Sequence, residues 1–186
     1  MANAADLVIE AERLELVALG IDFLSASLAG DRAAAEGMLG AAIDGAWFEH
    51  AWLIELRLNQ LRADPSLHIW LLRAVVERDS RTMIGHIGFH TAPGPDYLGE
   101  IAPAGAELGY TVYAPFRRAG YAREACGALM RWANDRHGVA AFVVSISPSN
   151  LASQRIARFF GFELKTVVED EEDGPEEVYV LAYPPA

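Results

Sequence analysis

The chain has 186 residues, enough for one domain with a real core, and 52% of them are hydrophobic. That composition excludes a disordered chain, and the net charge of −11 argues against a direct nucleic-acid binder, which would carry a basic face. Cys126 is the only cysteine, so no internal disulfide can form; in a helix-like run it reads as a small buried residue.

The opening stretch "MANAADLVIEAERLEL" has no basic start leading into an apolar core, so it does not read as a secretory leader. Runs such as "HIWLLRAVV" and "AAFVVSI" are too short to cross a bilayer, and a cytoplasmic protein without membrane contact is the expectation. The spacing predicts a first strand in "RLELVAL". "GIDFLSASLAGDRAAAEGMLG" follows as helix, with Leu24 and Leu28 on one face and Gly30 and Gly40 as punctuation. "AWFEHAWLIELRLNQLRADP" predicts a longer helix with Trp52, Leu56 and Leu61 turned inward and Pro65 closing it.

"IWLLRAVVER" and "RTMIGHIGFH" are β-rich runs separated by Asp79 and Ser80, a hairpin-length break. "TAPGPDYLGEIAPAG" reads as a long loop of the kind that is often functional. "AELGYTVY" is a strand. "GYAREACGALMRWANDRHG" is a helix with Ala122, Cys126, Leu129 and Ala133 on one face and Gly138 as its stop. "VAAFVVSIS" is a buried strand, and "NLASQRIARFFG" is a short helix opened by Asn150 and ended by Gly161. "FELKTVVE" and "EEVYVLAY" pair across an acidic turn. No internal repeat or flexible linker breaks the chain, so residues 1–186 are expected to form a single domain of mixed α/β class.

One stretch carries chemistry: "PFRRAGYAREA", Pro115 to Ala125, lies between a strand and a helix start. Helix N-termini present unbonded N–H groups and the positive end of the helix dipole. Gly120 has no Cβ, so a ligand oxygen can approach its backbone, and Arg117, Arg118 and Arg123 add charge. The pattern is neither a Walker loop nor a G-x-G-x-x-G turn. On spacing alone, a pyrophosphate cradle and a surface loop with solvated arginines both stand.

Arg117-x-x-Gly120-x-Ala122 resembles the Q/R-x-x-G-x-G/A pyrophosphate loop of the GNAT superfamily of acyl-CoA-dependent N-acetyltransferases. "ELGYTV" is similar to that family's central strand, "SPSNLASQRIARFFGF" to its "N-x-x-S … GF" segment, and "AERLEL" to the "TERLxLR" opening of its ribosomal-protein N-terminal acetyltransferase (RimJ/RimL-like) branch. The resemblance spans about Ala11 to Phe162 and departs at Arg118, where the branch often has glycine.

The resemblance implies a fold, a co-substrate and roles. The fold is an α/β (α+β) domain, its mixed, mostly antiparallel central sheet splayed between the central strands and flanked by about four helices. The co-substrate is acetyl-CoA, its pantetheine arm hydrogen-bonded to backbone near Thr111, Val112 and Tyr113. Its pyrophosphate would sit on the amides of Arg118, Ala119, Gly120, Tyr121, Ala122 and Arg123, beside Arg117, with Asn150 anchoring the arm. The reaction is direct attack of an amine through a tetrahedral intermediate, which needs a neutral amine, donors for the oxyanion and a thiolate able to leave.

Glu107, at the start of the central strand, is the base candidate, with His90 in reserve; a strand-end surface carboxylate is the other reading. Many relatives carry a tyrosine acid four residues before "GF"; here that position is Ala157. Ser153 takes the alternative place beside the thiol. Serine is a poor acid, so its role would be positioning more than proton donation. The spacing of His86 and His90 puts both on one strand face, where they line an acceptor cavity or pack internally, and no metal site is suggested. The resemblance would place Trp47, Phe48, Trp52 and Trp70 where the family walls its acceptor pocket, but aromatic residues at such positions are more often core.

"EDEEDGPEE", Glu169 to Glu177, holds seven acids, and without it the net charge would be −4. It would attract a cationic acceptor, or serve simply as a solvated turn. The acceptor is a small amine or a protein N-terminus, and a monomer or homodimer is the family habit. A non-catalytic acyl-CoA sensor or scaffold with the same fold is the competing class.

Overall fold

The computed structural model describes residues 4–170 and 174–183, and they fall into two compact units. The first holds Met1–Gly88 and Tyr110–Leu129, the second Phe89–Gly109 and Met130–Ala186. The fold is mixed α/β with a mostly antiparallel open sheet, as the resemblance implies.

The first unit opens with a helical turn α1 (Ala4–Leu7) and strand β1 (Val8–Glu10). The strand expected first is therefore the second, β2 (Leu14–Ala18), paired antiparallel with β1 through Ile9↔Leu16. Helix α2 (Ile21–Leu28) is followed by α3 (Arg32–Leu39), whose start is capped by Asp31 accepting from the Ala34 N–H and whose end is closed by Gly40 at φ 66°. A two-residue strand β3 (Ala42–Ile43) runs parallel to β5 (Thr82–Phe89), and β4 (Leu72–Glu77) lies antiparallel between β2 and β5.

The long helix expected over "AWFEHAWLIELRLNQLRADP" is broken. Gly45–Glu49 is a 3-10 turn capped by Asp44, and α4 is Ala51–Ala63. This break resets the phase of the helix. Ile54, Arg57, Leu58 and Leu61 face inward, whereas Trp52, expected inward, is 68% exposed and Leu56 is half-buried. Trp47 takes the buried place instead, its indole N–H donating to Ser27 Oγ at 2.9 Å. It belongs to the same core cluster as Phe23, Leu24, Ile54, Leu58, Val76 and Met83.

Arg73, in the apolar run of β4, is fully buried. Its guanidinium donates to the backbone carbonyls of Asp6, Leu7, Leu16 and Ile69, so one side chain closes four acceptors around β1, β2 and the segment before β4. Burial pulls its pKa down to about 9 against the opposing pull of Asp6.

In the second unit the start of β6 (Ala106–Val112) pairs parallel with β7 (Ala141–Ile146). This ladder has two register pairs and ends at Glu107↔Val143, while β7 stays paired to its end with β9 (Gly174–Ala182), which pairs in turn with β8 (Glu163–Asp170). Helix α5 (Tyr121–His137) passes from the first unit into the second, and α6 (Leu151–Phe160) begins at Asn150 and ends at Gly161, φ 83°, as expected. Leu98, Ala102, Val143 and Val178 form a core cluster, and Phe89 stacks on Phe142 with ring centres 6.1 Å apart.

The long loop after β5 is tied down rather than open. It contains a 3-10 turn at Asp96–Leu98, and the Gly94 N–H donates to Gly105 O at 2.8 Å. The acidic run is largely strand, since Val167 pairs with Glu177 and Val168 with Glu176; Glu171, Glu172 and Asp173 lie outside the described residues. Among the described residues, no helix is long and apolar enough to cross a membrane.

Candidate active site

Glu107 sits on β6 where the parallel ladder ends, and it is 8% exposed. One carboxylate oxygen accepts from Ser145 Oγ at 2.6 Å, and the other lies 3.4 Å from His90 Nδ1. The His90 N–H also donates to the Glu107 carbonyl at 2.9 Å, which fixes the two residues side by side. Burial pushes the Glu107 carboxyl up, but hydrogen bonding and charge from His90, with hydrogen bonds from Ser145 and Tyr97, outweigh it and hold the carboxyl below its usual range. The group is a buried, ionised carboxylate with a half-exposed imidazole as neighbour.

The two base candidates read from the sequence are therefore one cluster. Ser145 and Tyr97, which complete it, carried no sequence signal beyond lying in a strand and in a loop. The other histidine is a different case. His86 belongs to the first unit, 5% exposed, edge-on to His50 with ring centres 4.9 Å apart and near Trp47 and Tyr113. Burial, then the charges of His50 and Arg57, lower its pKa to about 3, so it is a neutral packed imidazole at physiological pH. No group of three or more His, Cys, Asp or Glu suited to a metal occurs among the described residues.

The loop before α5 is built from two left-handed residues. Arg118 has φ 66° and Gly120 φ 85°. Glycine adopts this region freely, whereas a residue with a Cβ is strained there. Arg118 thus occupies a conformation that suits the glycine common at this position in the branch. Residues 117–120 are exposed, and the 17-residue α5 begins at Tyr121. Arg117 Nε donates to the Val112 carbonyl at 2.8 Å, folding one arginine back onto β6.

A Cβ on Gly120 would lie 3.5 Å from Arg13 Nη2, so this arginine covers the glycine's open side. Arg13 Nε pairs with Glu124 Oε2 at 2.8 Å, and its Nη1 donates to Ala119 O at 3.1 Å.

Among the residues at and just beyond the end of β6 expected to meet a pantetheine arm, Thr111 and Tyr113 turn backbone groups toward β5. The Tyr113 N–H donates to Ile84 O at 2.9 Å, and the Thr111 carbonyl oxygen lies 2.1 Å from where a Cβ on Gly85 would be, so position 85 admits only glycine. Val112 alternates to the other side. Burial raises the Tyr113 phenol far above its ordinary value.

At the start of α6, Asn150 accepts from the Ser153 N–H at 3.1 Å, the N-cap geometry; Asn150 is exposed and Ser153 half-buried. Ala157, where many relatives carry a tyrosine, is buried. Gln154, next to Ser153, reaches Glu177 at 3.0 Å, and Glu177 accepts from Tyr179 Oη at 2.6 Å. That hydrogen bond raises the Tyr179 phenol, which makes it a poor proton donor. A cavity of about 410 Å³ lies at the start of α2, lined by Val17, Leu19, Phe23, Leu61 and His68 among others, and none of the candidate residues reaches it.

Residues 29–163 match the family described as the acetyltransferase (GNAT) domain. The chain belongs to the GNAT acetyltransferase family and is an N-acetyltransferase of that class. It is 28% identical over 163 residues to the uncharacterized N-acetyltransferase YjdG of Bacillus subtilis (strain 168), covering 85% of this chain and 90% of that one. Its fold is similar to that of RimL, a ribosomal L7/L12 α-N-protein acetyltransferase solved with coenzyme A, at TM-score 0.63 and 18% identity over 94% of this chain and 97% of that one. The ribosomal-protein-S5-alanine acetyltransferase of Vibrio fischeri aligns at TM-score 0.63 and 14% identity over 95% and 97% of the two chains.

Proposed function

We propose that the chain transfers the acetyl group of acetyl-CoA to a primary amine, with Glu107 as the residue that receives the amine's proton. The observation that carries this reading is the Glu107 cluster: a nearly buried carboxylate held ionised by Ser145 and His90 in a member of the GNAT family. Acetyl-CoA supplies the acyl group activated as a thioester. The exposed α5 N-terminus, with the left-handed Gly120 and Arg117, Arg118 and Arg123 about it, suits the diphosphate. RimL, solved with coenzyme A, supports the same co-substrate here.

A carboxylate with a lowered pKa does not strip a free ammonium. It accepts a hydrogen bond from the neutral amine and takes the proton as the new N–C bond makes that nitrogen acidic. His90, with its side chain 44% exposed, offers the proton a way from Glu107 to solvent. Val112 turns its backbone to the side of β6 away from β5, where Arg117 already shares its carbonyl. Ser153 and Asn150, at the start of α6, are assigned to the thiol and the arm. The acceptor is a small amine or a protein N-terminus. The acidic residues about Glu169, Glu176 and Glu177 favour one that is cationic.

Release of free thiol from acetyl-CoA, followed across a panel of amines and peptide N-termini, tests the proposal. Turnover with at least one acceptor, lost in Glu107→Gln with coenzyme A binding retained, supports it. Tight coenzyme A binding with no turnover on any acceptor favours the sensor. Full turnover by Glu107→Gln removes the base assignment.

A further inference from the structure

We infer that Arg13 is a positioning residue of the coenzyme A seat, holding and neutralising Glu124 so that an anion can occupy the start of α5; this rests on the reading of that helix start as the diphosphate site. Glu124 lies in the first turn of α5. A carboxylate there is favourable to a bare helix, because it faces the positive end of the dipole. Where that same end must receive a diphosphate, an uncompensated carboxylate competes for the amides and repels the ligand.

Arg13 answers both problems with its backbone N–H and its guanidinium. Its backbone N–H donates to Glu124 Oε1 at 2.6 Å and its Nε to Oε2 at 2.8 Å, so both carboxylate oxygens are turned toward Arg13. The same guanidinium donates through Nη1 to Ala119 O at 3.1 Å, and its Cζ lies 4.5 Å from the centre of the Tyr121 ring. With Nη2 covering Gly120, Arg13 touches residues 119, 120, 121 and 124, the whole length of the loop-to-helix junction. It is itself fixed, since its carbonyl accepts from the Arg78 N–H at 2.9 Å just beyond β4. The junction is thereby preorganised from a segment more than 100 residues away in sequence, at a net charge near zero for the pair.

The test measures coenzyme A binding by calorimetry at one ionic strength for the wild type, Arg13→Ala, Arg13→Lys, Glu124→Gln and the double variant Arg13→Ala/Glu124→Gln. Arg13→Ala is expected to weaken binding by about tenfold or more, because it keeps the backbone N–H on Glu124 Oε1 but removes the guanidinium charge that neutralises the carboxylate. The double variant should recover most of that loss, since the unmatched charge is gone, and Arg13→Lys should fall between. Steady-state rates should show the loss in KM for acetyl-CoA with kcat nearly unchanged.

Binding by Arg13→Ala within twofold of wild type overturns the inference. So does a double variant as weak as the single one, which would make the arginine a packing element only. If Arg13→Ala does not fold, Arg13→Lys and the double variant carry the comparison. A wild-type protein that binds no coenzyme A overturns the diphosphate reading and this inference with it; a binding wild type with unaffected variants overturns this inference alone.

Discussion

Ser145 Oγ donates to Glu107 Oε1 at 2.6 Å, which joins two strands at the point where their parallel ladder ends. The bond stabilises the charged form of Glu107, so removing it raises the carboxyl pKa. If Glu107 must be ionised to work, Ser145→Ala moves the acid limb of the kcat/KM profile to higher pH. His90→Ala should move it the same way, and an unmoved limb in both variants removes Glu107 from the titration.

Arg118 and Gly120 share a left-handed backbone but not its cost. Gly120→Ala places a Cβ in a conformation that disfavours it by about 1–2 kcal/mol, and it distorts the amides beside it. Arg118→Gly relieves the same strain while losing one mobile charge and some unfolded-state restriction, so its net stability change should lie within about 1 kcal/mol of zero. Thermal melts and coenzyme A titrations of the two variants check this: Gly120→Ala should lose more in both.

The loop was legible because its determinants are local. Gly120, the arginines and the following helix lie within one short stretch, as do Asn150, Ser153 and Gly161 on α6. What was not legible is what distant chain brings to it. Arg13 reaches Glu124 across 111 positions, and Ser145 reaches Glu107 across 38. No periodicity encodes such pairs. Helix phase was the other gap. Apolar content alone does not say that a 3-10 turn at Gly45–Glu49 precedes α4, and that turn sends Trp52 outward and Arg57 inward.

Arg73 is a buried charge in a strand that reads as apolar, and its value lies in the carbonyls it satisfies. Arg73→Ala removes the donor and leaves a cavity as well as buried acceptors without it. The expected loss is about 3–5 kcal/mol, read from the urea midpoint. Arg73→Lys keeps the charge but cannot span four carbonyls, so it should recover only a minor part. A loss below about 1 kcal/mol for Arg73→Ala would mean that water takes over those carbonyls.

His86 sets a pH dependence whose sign follows from its burial. Its folded pKa, about 3, lies below the ordinary 6.5, so the unfolded chain binds the proton more readily. Its contribution is fully present above pH 6.5 and is lost progressively as pH falls from there toward 3. Each unit of that window is worth up to about 1.4 kcal/mol. Glu107, whose pKa is also lowered, adds a loss of the same sign at pH values near and below the ordinary carboxylate value of 4.5. The two separate by mutation. His86→Phe fills a similar volume between Trp47, His50 and Tyr113 without titrating, so the urea midpoint should fall less between pH 6.5 and 5 than in the wild type. Glu107→Gln should leave that upper window unchanged and flatten only the lower one. If both variants keep the wild-type slope between pH 6.5 and 5, His86 is not the buried neutral group that its packing implies.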